Sequence, residues 1–381
     1  MAKAERIKVA QIIARMNVGG PAVIVADLMR GLDSSKFEQV LITGYCDSDE
    51  ADYLDEVATD IKATRIGGLG RSVSPVADLK AFIELVAMLR KFKPDVIHTH
   101  TAKAGVLGRM AALIAGGGAV CVHTFHGHLL HGYFSPPKTK LVVAIEKVLA
   151  AKTDYLVAVG TQVKNDLVRA GIGTEAKFRV FFPGLPAPHT ASKSELRASL
   201  ELDPHLIYVT FVGRLTQIKR PDRLMDIAAE IAKSHHNVHF LIAGEGDLHE
   251  YTQQRAITQK LPVTFLGWRK DIAELFAASD IAILTSDNEG IPLTLIQAAQ
   301  AGLPIVAPSV GSISDIVVNH ETGLLASPHP VPMASALSTL INDADLRSKY
   351  GAAGKARANE FFSLERQLQD HARLYEVSQE S

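Results

Sequence analysis

The chain has 381 residues, of which 47% are hydrophobic and 21% are charged, and its formal net charge is -1. This length exceeds what one hydrophobic core usually serves, so we expect two domains. A nearly neutral charge provides no global basic field to hold nucleic acid, which excludes nucleic acid as a partner.

The cysteine content and the longest apolar stretch limit where the protein works. Cys46 and Cys121 are the only cysteines, too few for a disulfide framework or a thiolate metal site, and no charged leader opens the chain. The longest uncharged apolar stretch, MAALIAGGGAVCV, is interrupted by glycines and falls short of the roughly eighteen residues of a membrane span. We expect a cytoplasmic protein whose contact with the inner membrane face is peripheral.

Short β-branched runs alternate with helical stretches through the first half of the chain. A helix-like stretch follows each of the runs RIKVAQIIA, EQVLITGY, PDVIHTH, AVCVHTFH and DYLVAVG. This order predicts a parallel sheet that is covered on both faces. The run then ends in a seam at 181–196, FFPGLPAPHTASKSEL, where Pro, Gly, Ser and Thr concentrate.

The same order resumes after the seam, with the strands IYVTFVGR, VHFLIAGEG, VTFLGW, IAILTS and PIVAPS and a charged helical end. The sequence therefore predicts an α/β fold of two Rossmann-like lobes that face each other across a cleft, with a C-terminal helical segment. We place the domains at 1–185 and 186–360, and we expect a helix at 361–381 to pack back toward the first domain.

A glycine pair follows the first predicted strand. Gly19 and Gly20 precede Pro21, which suits the first turn of a helix, so amide groups at a positive helix end are exposed there. Such a turn can hold an anion. Because the pattern is not GxGxxG, a tight turn without a ligand is an equal interpretation.

A pair of cations follows the first strand of the second half. Arg214 and Lys219, in VGRLTQIKRPDRL, lie near the entry to the next helix. Two side-chain cations and a helix end of about half a positive charge would offset most of the charge of a leaving diphosphate without a metal. A solvated basic turn is the structural alternative.

Five segments of the second half extend this pattern. They are VGRLTQIKRPDRL, LIAGEGDL, VTFLGWRKDI, LTSDNEGIPLTLIQAAQAGLPIVAPSVGSISDIV and ETGLL, in this order. Together they resemble the C-terminal lobe of family-4 retaining glycosyltransferases of the GT-B fold. In the first half, NVGGP, KPDVIHTHTAKAGVLGRMAA and HTFHGHLLHGYFS resemble the bacterial branch that builds surface polysaccharides such as lipopolysaccharide.

The resemblance implies roles for individual residues. Arg214 and Lys219 would grip the donor diphosphate, while His126 and Glu289 would contact the donor sugar, so we expect these four to be catalytic. The backbone at Trp268 or Arg269 would read the base, and amides at the start of a helix would face the phosphate. The further expected donor-binding residues are Gly19, Gly20, Gly290, Leu293, Thr294 and Gln297.

Gln297 departs from the family pattern, which has a second acid there that holds the nucleotide ribose. An amide accepts from one ribose hydroxyl and donates to the other, so we expect modestly weaker donor binding and not a dead enzyme. Two structural alternatives stay open. Gln297 is also compatible with a partly buried helix position, and Glu289 with a residue that only favours the helix dipole.

Histidines and acids in the first half raise the question of a metal. No acid or cysteine cluster lies near the histidines, which disfavours zinc, and neutral histidines suit sugar hydroxyls and carbonyl partners equally well. The acid-x-acid turn DSD at 47–49 is interpreted as a loop. We expect no metal and no cofactor, the nucleotide sugar being a co-substrate. The histidines are His98, His100, His123, His126, His128 and His131.

The acceptor is expected on the first lobe, because the donor is held by the second. The loop HGHLLHGYFSPPK mixes histidines and aromatic residues that suit a sugar face, although a plain exposed loop is an equal interpretation. The acceptor-binding candidates are Arg71, His100, Lys103, His128, His131 and Tyr133.

The sequence thus predicts retaining, metal-independent hexosyl transfer from a nucleotide diphosphate sugar, expected to be UDP-linked, to a hydroxyl of an envelope or exopolysaccharide glycan or a lipid-linked sugar. Catalysis would consist of positioning and charge stabilisation. Two alternatives stay open. A UDP-sugar 2-epimerase would consume donor without an acceptor, and a non-catalytic nucleotide-sugar-binding protein would bind donor without converting it.

Overall fold

The computed structural model describes residues 5–48, 50–115, 117–127, 136–188 and 191–379. The chain divides into two compact units, one of Met1–Pro183 with Leu364–Ser381 and one of Gly184–Ser363. Each unit contains a parallel β-sheet and helices, which confirms the predicted α/β class with two Rossmann-like lobes.

Within the described residues, the strands of the first unit are β1 (Ile7–Ile13), β2 (Phe37–Thr43), β3 (Ala63–Arg65), β4 (Val96–His100), β5 (Val120–Phe125), β6 (Tyr155–Ala158) and β7 (Phe178–Val180). They form one sheet in the order β3-β2-β1-β4-β5-β6-β7. Its helices are α1 (Gly20–Gly31), α2 (Tyr53–Glu56), α3 (Pro75–Phe92), α4 (Ala102–Ala115), α5 (Pro136–Lys152), α6 (Thr161–Arg169) and, from the C-terminus, α15 (Leu364–Val377).

Burial of β1 on both of its faces fits its position in the middle of the sheet. Val9, Ala10, Ile12 and Ile13 are all fully buried, although neighbours in a strand point to opposite faces. Both faces of the sheet must therefore be covered, as in other parallel sheets. On one face, Val9 packs in a cluster that includes Tyr375 of α15, so the C-terminal helix completes the core of the first unit.

In the part of the second unit that is described, the strands are β8 (Ile207–Val212), β9 (Val238–Ala243), β10 (Val263–Gly267), β11 (Ile281–Ile283), β12 (Ile305–Pro308) and β13 (Gly323–Ala326). They pair in the order β10-β9-β8-β11-β12-β13. The helices are α7 (Lys193–Ser199), α8 (Pro221–Ala232), α9 (His249–Thr258), α10 (Ile272–Ala278), α11 (Leu293–Gln300), α12 (Ile313–Ile316), α13 (Pro330–Asn342) and α14 (Ala344–Phe361).

Three strands have no counterpart among the predicted ones, namely β3, β7 and β13. All three are edge strands, and they contain three or four residues each. An edge strand pairs on one side only and has less surface to bury, so its sequence carries a weaker hydrophobic signal.

The strand order reverses at the same relative place in both sheets. β1 pairs with β2 on one side and with β4 on the other, and β8 pairs likewise with β9 and β11. Loops that follow such a pair of strands diverge, and ligands of open α/β sheets bind in the space between them. The segments after β8 and β11 are therefore the first place to look for a ligand site in the second unit.

Buried histidines predict that acid destabilises the first unit. Burial lowers the pKa of His98, His100 and His123 well below the usual 6.5, that of His126 to about 3 and that of His371 to about 4. Below about pH 6.5 the unfolded chain therefore binds protons that the folded unit does not. Each group should remove about 1 kcal/mol of stability per pH unit as the pH falls from there toward its folded pKa.

Urea unfolding between pH 7.5 and pH 5.5 measures this slope. The variant His123→Asn, which keeps a polar side chain for the hydroxyl of Thr99, should show a shallower slope because one titrating ring is gone. A free energy of unfolding that stays constant over this range would contradict the assignment.

Candidate functional site

Arg214 lies directly after β8, next to two close backbone contacts. The amide of Gly213 donates to the carbonyl of Ala243 at 3.0 Å, and a Cβ on Gly244, whose φ is +136°, would lie 2.0 Å from the carbonyl oxygen of Gly213. The ends of β8 and β9 are thus packed backbone against backbone. The side chain of Arg214 is exposed, and no described residue forms an ion pair or hydrogen bond with it. A cation is therefore available to a ligand here.

Lys219 and Glu289 form an ion pair. Nζ of Lys219 lies 2.5 Å from Oε1 of Glu289, with 20% and 11% of the respective side chains exposed. The hydroxyl of Ser286 donates to the same oxygen at 2.5 Å, and the hydroxyl of Thr285 donates to the carbonyl of Lys219 at 2.8 Å. The structure thus brings together two predicted site residues that are 70 positions apart, because β8 and β11 are neighbours.

Arg223, on α8, fixes the segment that carries Glu289. Its buried guanidinium donates to the carbonyl of Thr285 at 2.5 Å and to Asp287 at 2.6 Å. The amide of Asp287 donates in turn to the carbonyl of Ile218 at 2.9 Å. Arg223 and Ser286 are not among the site residues predicted from the sequence. Ser286 is three positions before Glu289, and that spacing is the one signal in the sequence that points to it.

The backbone of Glu289 is held by the loop after β12. Gly311 has a φ of +53°, and a Cβ at this position would lie 1.9 Å from the carbonyl oxygen of Glu289. The amide of Ser312 donates to the same oxygen at 3.2 Å. Only glycine allows this approach, so the carboxylate is positioned by contacts of both its side chain and its backbone.

The start of α11 follows Glu289 within a few residues. Pro292 is the N-cap, and no described acceptor receives the amide hydrogens of Leu293 and Thr294, which are half-buried. Gly290 is also half-buried. Unpaired amides at a helix start carry a partial positive charge and bind anions. The ion pair and the helix start, four positions apart in the chain, offer a site for an anion beside a carboxylate. Arg214 adds an exposed cation in the segment after β8.

Gln297 lies one turn further along α11. Its side chain is half-buried, between the buried Ile296 and Ala298, and forms no hydrogen bond with a described residue. An amide with unused donors and acceptors at this place is compatible with a ligand contact. Its role in ribose binding stays a prediction.

Trp268 and Arg269 follow the edge strand β10. The indole of Trp268 is 47% exposed, and Nζ of Lys270 lies 5.3 Å from the centre of its ring. The guanidinium of Arg269 is paired with Asp271 through its Nε at 2.8 Å. The arginine side chain is thus engaged, and base reading by the backbone of this segment stays a prediction.

In the first unit, Gly19 and Gly20 lie between β1 and α1. Gly19 is the N-cap in an extended conformation, and Gly20 begins the helix with Pro21 in its first turn. The local structure is the predicted helix start. An anion at this turn stays a prediction.

His126 ends a chain of buried polar side chains at the carboxyl ends of β1, β4 and β5. Nε2 of His126 lies 3.0 Å from Nδ1 of His100, whose Nε2 lies 3.0 Å from Oε1 of Gln11. Gln11 continues to the hydroxyl of Tyr375, which lies 2.5 Å from Nδ1 of His98. Burial lowers the pKa of these histidines, so the rings are uncharged.

The acceptor candidates differ in exposure, and three of them lie outside the described residues. Arg71 is exposed. Lys103 pairs with Asp78 at 2.7 Å and is 13% exposed, and its ammonium also donates to the carbonyl of Ser72. His100 is fully buried behind His126. The candidates His128, His131 and Tyr133 lie outside the described residues, so the acceptor assignments stay predictions.

Among the described residues, no group of three or more His, Cys, Asp or Glu side chains has a geometry that could hold a metal. Asp49 of the DSD turn, His128 and His131 lie outside this set. Over the same described residues, every helix is too short or too polar to pass through a lipid bilayer.

The close approach at Gly311 predicts a large loss of stability in Gly311→Ala. Gly302→Ala is the matched control, since Gly302 also has a positive φ, +78°, but the nearest atom to its Cβ would lie 3.9 Å away. The control should lose only about 1 to 2 kcal/mol from backbone strain. Gly311→Ala should lose a further 1 to 3 kcal/mol or so, because the loop must move off Glu289. Equal losses of unfolding free energy in the two variants, measured by urea unfolding, would contradict the close approach of Gly311 to Glu289.

Two sequence families match the chain. Residues 192–357 match the family described as glycosyl transferases group 1, and residues 19–184 match the one described as glycosyl transferase 4-like domain. The two matches correspond to the second and first units.

Relatives and solved structures agree with these matches. A UDP-Gal:alpha-D-GlcNAc-diphosphoundecaprenol alpha-1,3-galactosyltransferase of Escherichia coli is 32% identical over 287 residues, 72% of this chain and 72% of that protein. A D-inositol 3-phosphate glycosyltransferase of Rhodococcus erythropolis is 31% identical over 294 residues, 71% of this chain and 65% of that protein. The structure of Anabaena Alr3699/HepE in complex with UDP and glucose superposes with a TM-score of 0.82 at 21% identity, covering 98% of this chain and 100% of that one. The chain therefore belongs to the family-4 glycosyltransferases of the GT-B fold.

Proposed function

We propose that this glycosyltransferase moves a hexosyl group, with retention and without a metal, from a UDP-sugar to a hydroxyl of a lipid-linked envelope glycan. The observation that carries the proposal is the Lys219–Glu289 ion pair at the point where the second sheet reverses its strand order. Next to it in the chain lie the exposed Arg214 and the unpaired amides at the start of α11. This combination suits a sugar diphosphate, which presents hydroxyls and negative charge together.

The cationic groups serve the leaving diphosphate. Arg214 and Lys219 offset the charge that develops on the phosphate oxygen as the bond to the sugar breaks, and the amides of Leu293 and Thr294 add hydrogen bonds to it. Because these groups already supply positive charge, a divalent cation is not needed. Activity should therefore persist in a chelator.

Glu289 serves the sugar. Its Oε1 is occupied by Lys219 and Ser286, while Oε2 has no hydrogen-bond partner among the described residues. A carboxylate oxygen accepts from sugar hydroxyls, and a held carboxylate fixes the sugar relative to the diphosphate. His126, at the end of β5, is proposed as a further sugar contact.

The configuration of the anomeric carbon is retained if the acceptor attacks from the face that the diphosphate leaves. The bond between the anomeric carbon and the phosphate oxygen breaks, the acceptor oxygen bonds to that carbon, and the hydroxyl proton moves to the departing phosphate. The resemblance in sequence implies this outcome. The Escherichia coli relative is an alpha-1,3-galactosyltransferase by name, which is compatible with this outcome.

A lipid-linked acceptor is supported by that relative's name, which contains a sugar linked to diphosphoundecaprenol. It is also supported by exposed apolar side chains on two helices of the first unit. Lysines accompany them on α5, whose single acid, Glu146, is buried in a pair with Arg109. Apolar side chains among lysines suit peripheral contact with an anionic lipid surface. The exposed apolar residues are Met110, Leu113 and Ile114 on α4 and Leu141, Ile145 and Val148 on α5.

The test is an incubation of the full chain with a panel of UDP-sugars, each with and without a lipid-diphosphate sugar acceptor, in a chelator. We expect a glycosylated lipid for one donor only when the acceptor is present, detected by mass spectrometry. The proton coupling constant of the new anomeric centre should report the donor's configuration. Conversion of donor without acceptor would instead favour the epimerase, and binding without conversion the non-catalytic protein.

The same incubation compares two lysine variants. Lys219→Ala should lower kcat by about 10²- to 10³-fold, the cost of deleting one key stabilising donor. Lys233→Ala is the matched control, because Lys233 forms an exposed ion pair with Glu230 in the same unit and should leave turnover unchanged. Equal turnover in both variants would contradict the diphosphate assignment.

The polar residues of the α11 segment should differ in their kinetic effects. Glu289→Ala should lower kcat, since Glu289 is expected at the reacting sugar, and Gln297→Ala should mainly raise the donor KM. Gln297→Glu should alter donor affinity by no more than about 1 to 2 kcal/mol in either direction. An unfolded Gln297→Glu protein would identify Gln297 as a core residue that buries the new charge without a partner, and would refute the ribose assignment.

A further inference from the structure

We infer that a buried hydrogen-bond relay through Gln39, Gln11 and His100 fixes His126 as the tautomer whose Nδ1 accepts a hydrogen bond, and that this nitrogen receives a substrate hydroxyl. The substrate in this inference rests on the proposed function, whereas the relay rests on contacts within the first unit. Gln39, Gln11 and His100 are thereby positioning residues for His126.

The relay begins at backbone carbonyls of α1. The amide nitrogen of Gln39 lies 3.0 Å from the carbonyl oxygen of Leu28 and 3.4 Å from that of Met29. A carbonyl oxygen can only accept, so the NH₂ group of Gln39 must face α1. Its Oε1 consequently faces Gln11.

Gln11 transmits this orientation through the middle of the sheet. It is fully buried on β1, and its Nε2 donates to Oε1 of Gln39 at 3.4 Å and to the hydroxyl of Tyr375 at 3.2 Å. A flipped amide would set its oxygen against the oxygen of Gln39 without a proton between them, which is costly in a buried place. Oε1 of Gln11 is therefore held toward His100.

The two histidines complete the relay. Nε2 of His100 lies 3.0 Å from Oε1 of Gln11 and must carry the proton, so Nδ1 of the neutral ring is an acceptor. Nε2 of His126 lies 3.0 Å from this Nδ1 and must donate to it. Nδ1 of His126 therefore carries a lone pair and no proton. Burial keeps the ring neutral by lowering its pKa.

Nδ1 of His126 is buried and has no hydrogen-bond partner among the described residues. A buried polar atom without a partner is costly, and an unprotonated nitrogen is satisfied only by a donor. Sugar hydroxyls donate, whereas ionised phosphate and carboxylate groups cannot. The relay therefore requires a hydrogen-bond donor at Nδ1 of His126, and a sugar hydroxyl is the donor that we assign to it.

A second branch leaves the relay at Tyr375 and supplies a control. The hydroxyl of Tyr375, which accepts from Gln11, donates to Nδ1 of His98 at 2.5 Å, and Nε2 of His98 lies 2.7 Å from the hydroxyl of Thr124. Thr124 is buried like Gln11 and His100, and its side chain forms no hydrogen bond with His100 or His126. Thr124→Val thus removes a buried hydrogen bond without altering the orientation of Gln11.

The experiment records long-range ¹H–¹⁵N correlations of the histidine rings in the full chain, with His126 assigned by difference against His126→Gln. We expect a protonated Nε2 and an unprotonated Nδ1 at His126 in the natural sequence. Adding a UDP-sugar that the protein binds should shift the Nδ1 resonance, and a donor analogue lacking the contacted hydroxyl should not. A protonated Nδ1 in the natural sequence, or a resonance that no donor or acceptor shifts, would overturn the inference.

Variants test the positioning roles. Gln11→Met and Gln39→Met should each give a mixture of His126 tautomers and lower kcat about tenfold, the effect of one neutral hydrogen bond, while Thr124→Val should change neither. Gln39→Met keeps the test decisive if Gln11→Met does not fold. Unchanged tautomer and kcat in a folded variant would overturn the relay. If the natural chain shows no turnover, the proposed function fails, and the tautomer of His126 still decides the relay.

Discussion

The ion pair between Lys219 and Glu289 is the interaction on which the candidate site of the second unit depends. It joins the segment after β8 to the segment after β11, and both partners are largely shielded from water. Ser286 shares the carboxylate oxygen, Arg223 holds the same loop, and Gly311 lets the next loop touch the backbone of Glu289. A carboxylate held in this way loses little further freedom when a sugar binds, which is the physical basis of positioning.

The polar network of the first unit consists of uncharged side chains, whereas the candidate site of the second unit contains an ion pair. Its sheet buries histidines, a glutamine and a tyrosine that are linked by hydrogen bonds, which offsets much of the cost of burying them, whereas Nδ1 of His126 has no partner among the described residues. α15 supplies Tyr375 to this network, although it lies at the far end of the chain. Packing of the first unit is thus linked to the C-terminal helix.

Charged and uncharged groups would meet different needs of the proposed reaction. A leaving diphosphate needs positive charge that is already in place, whereas sugar hydroxyls need partners that stay uncharged at the working pH. Arg214 and Lys219, the cations of the candidate site, follow β8 in the second unit, whereas the uncharged imidazoles of His100 and His126 lie in the first unit. Gln297 is also uncharged, although the resemblance predicts an acid at its position.

The sequence by itself determined the α/β class, the strands in the middle of each sheet and the family, because long apolar runs and the segments around Arg214 and Glu289 are local patterns. The edge strands β3, β7 and β13 were missed, since pairing on one side leaves a weak signal. Only the tertiary structure decided that β8 lies beside β11, which joins Lys219 to Glu289, and that Gln39, Gln11, His100 and His126 form one relay. Contacts of this kind depend on strand order and on side-chain orientation across the sheet, and neither is encoded in spacing along the chain.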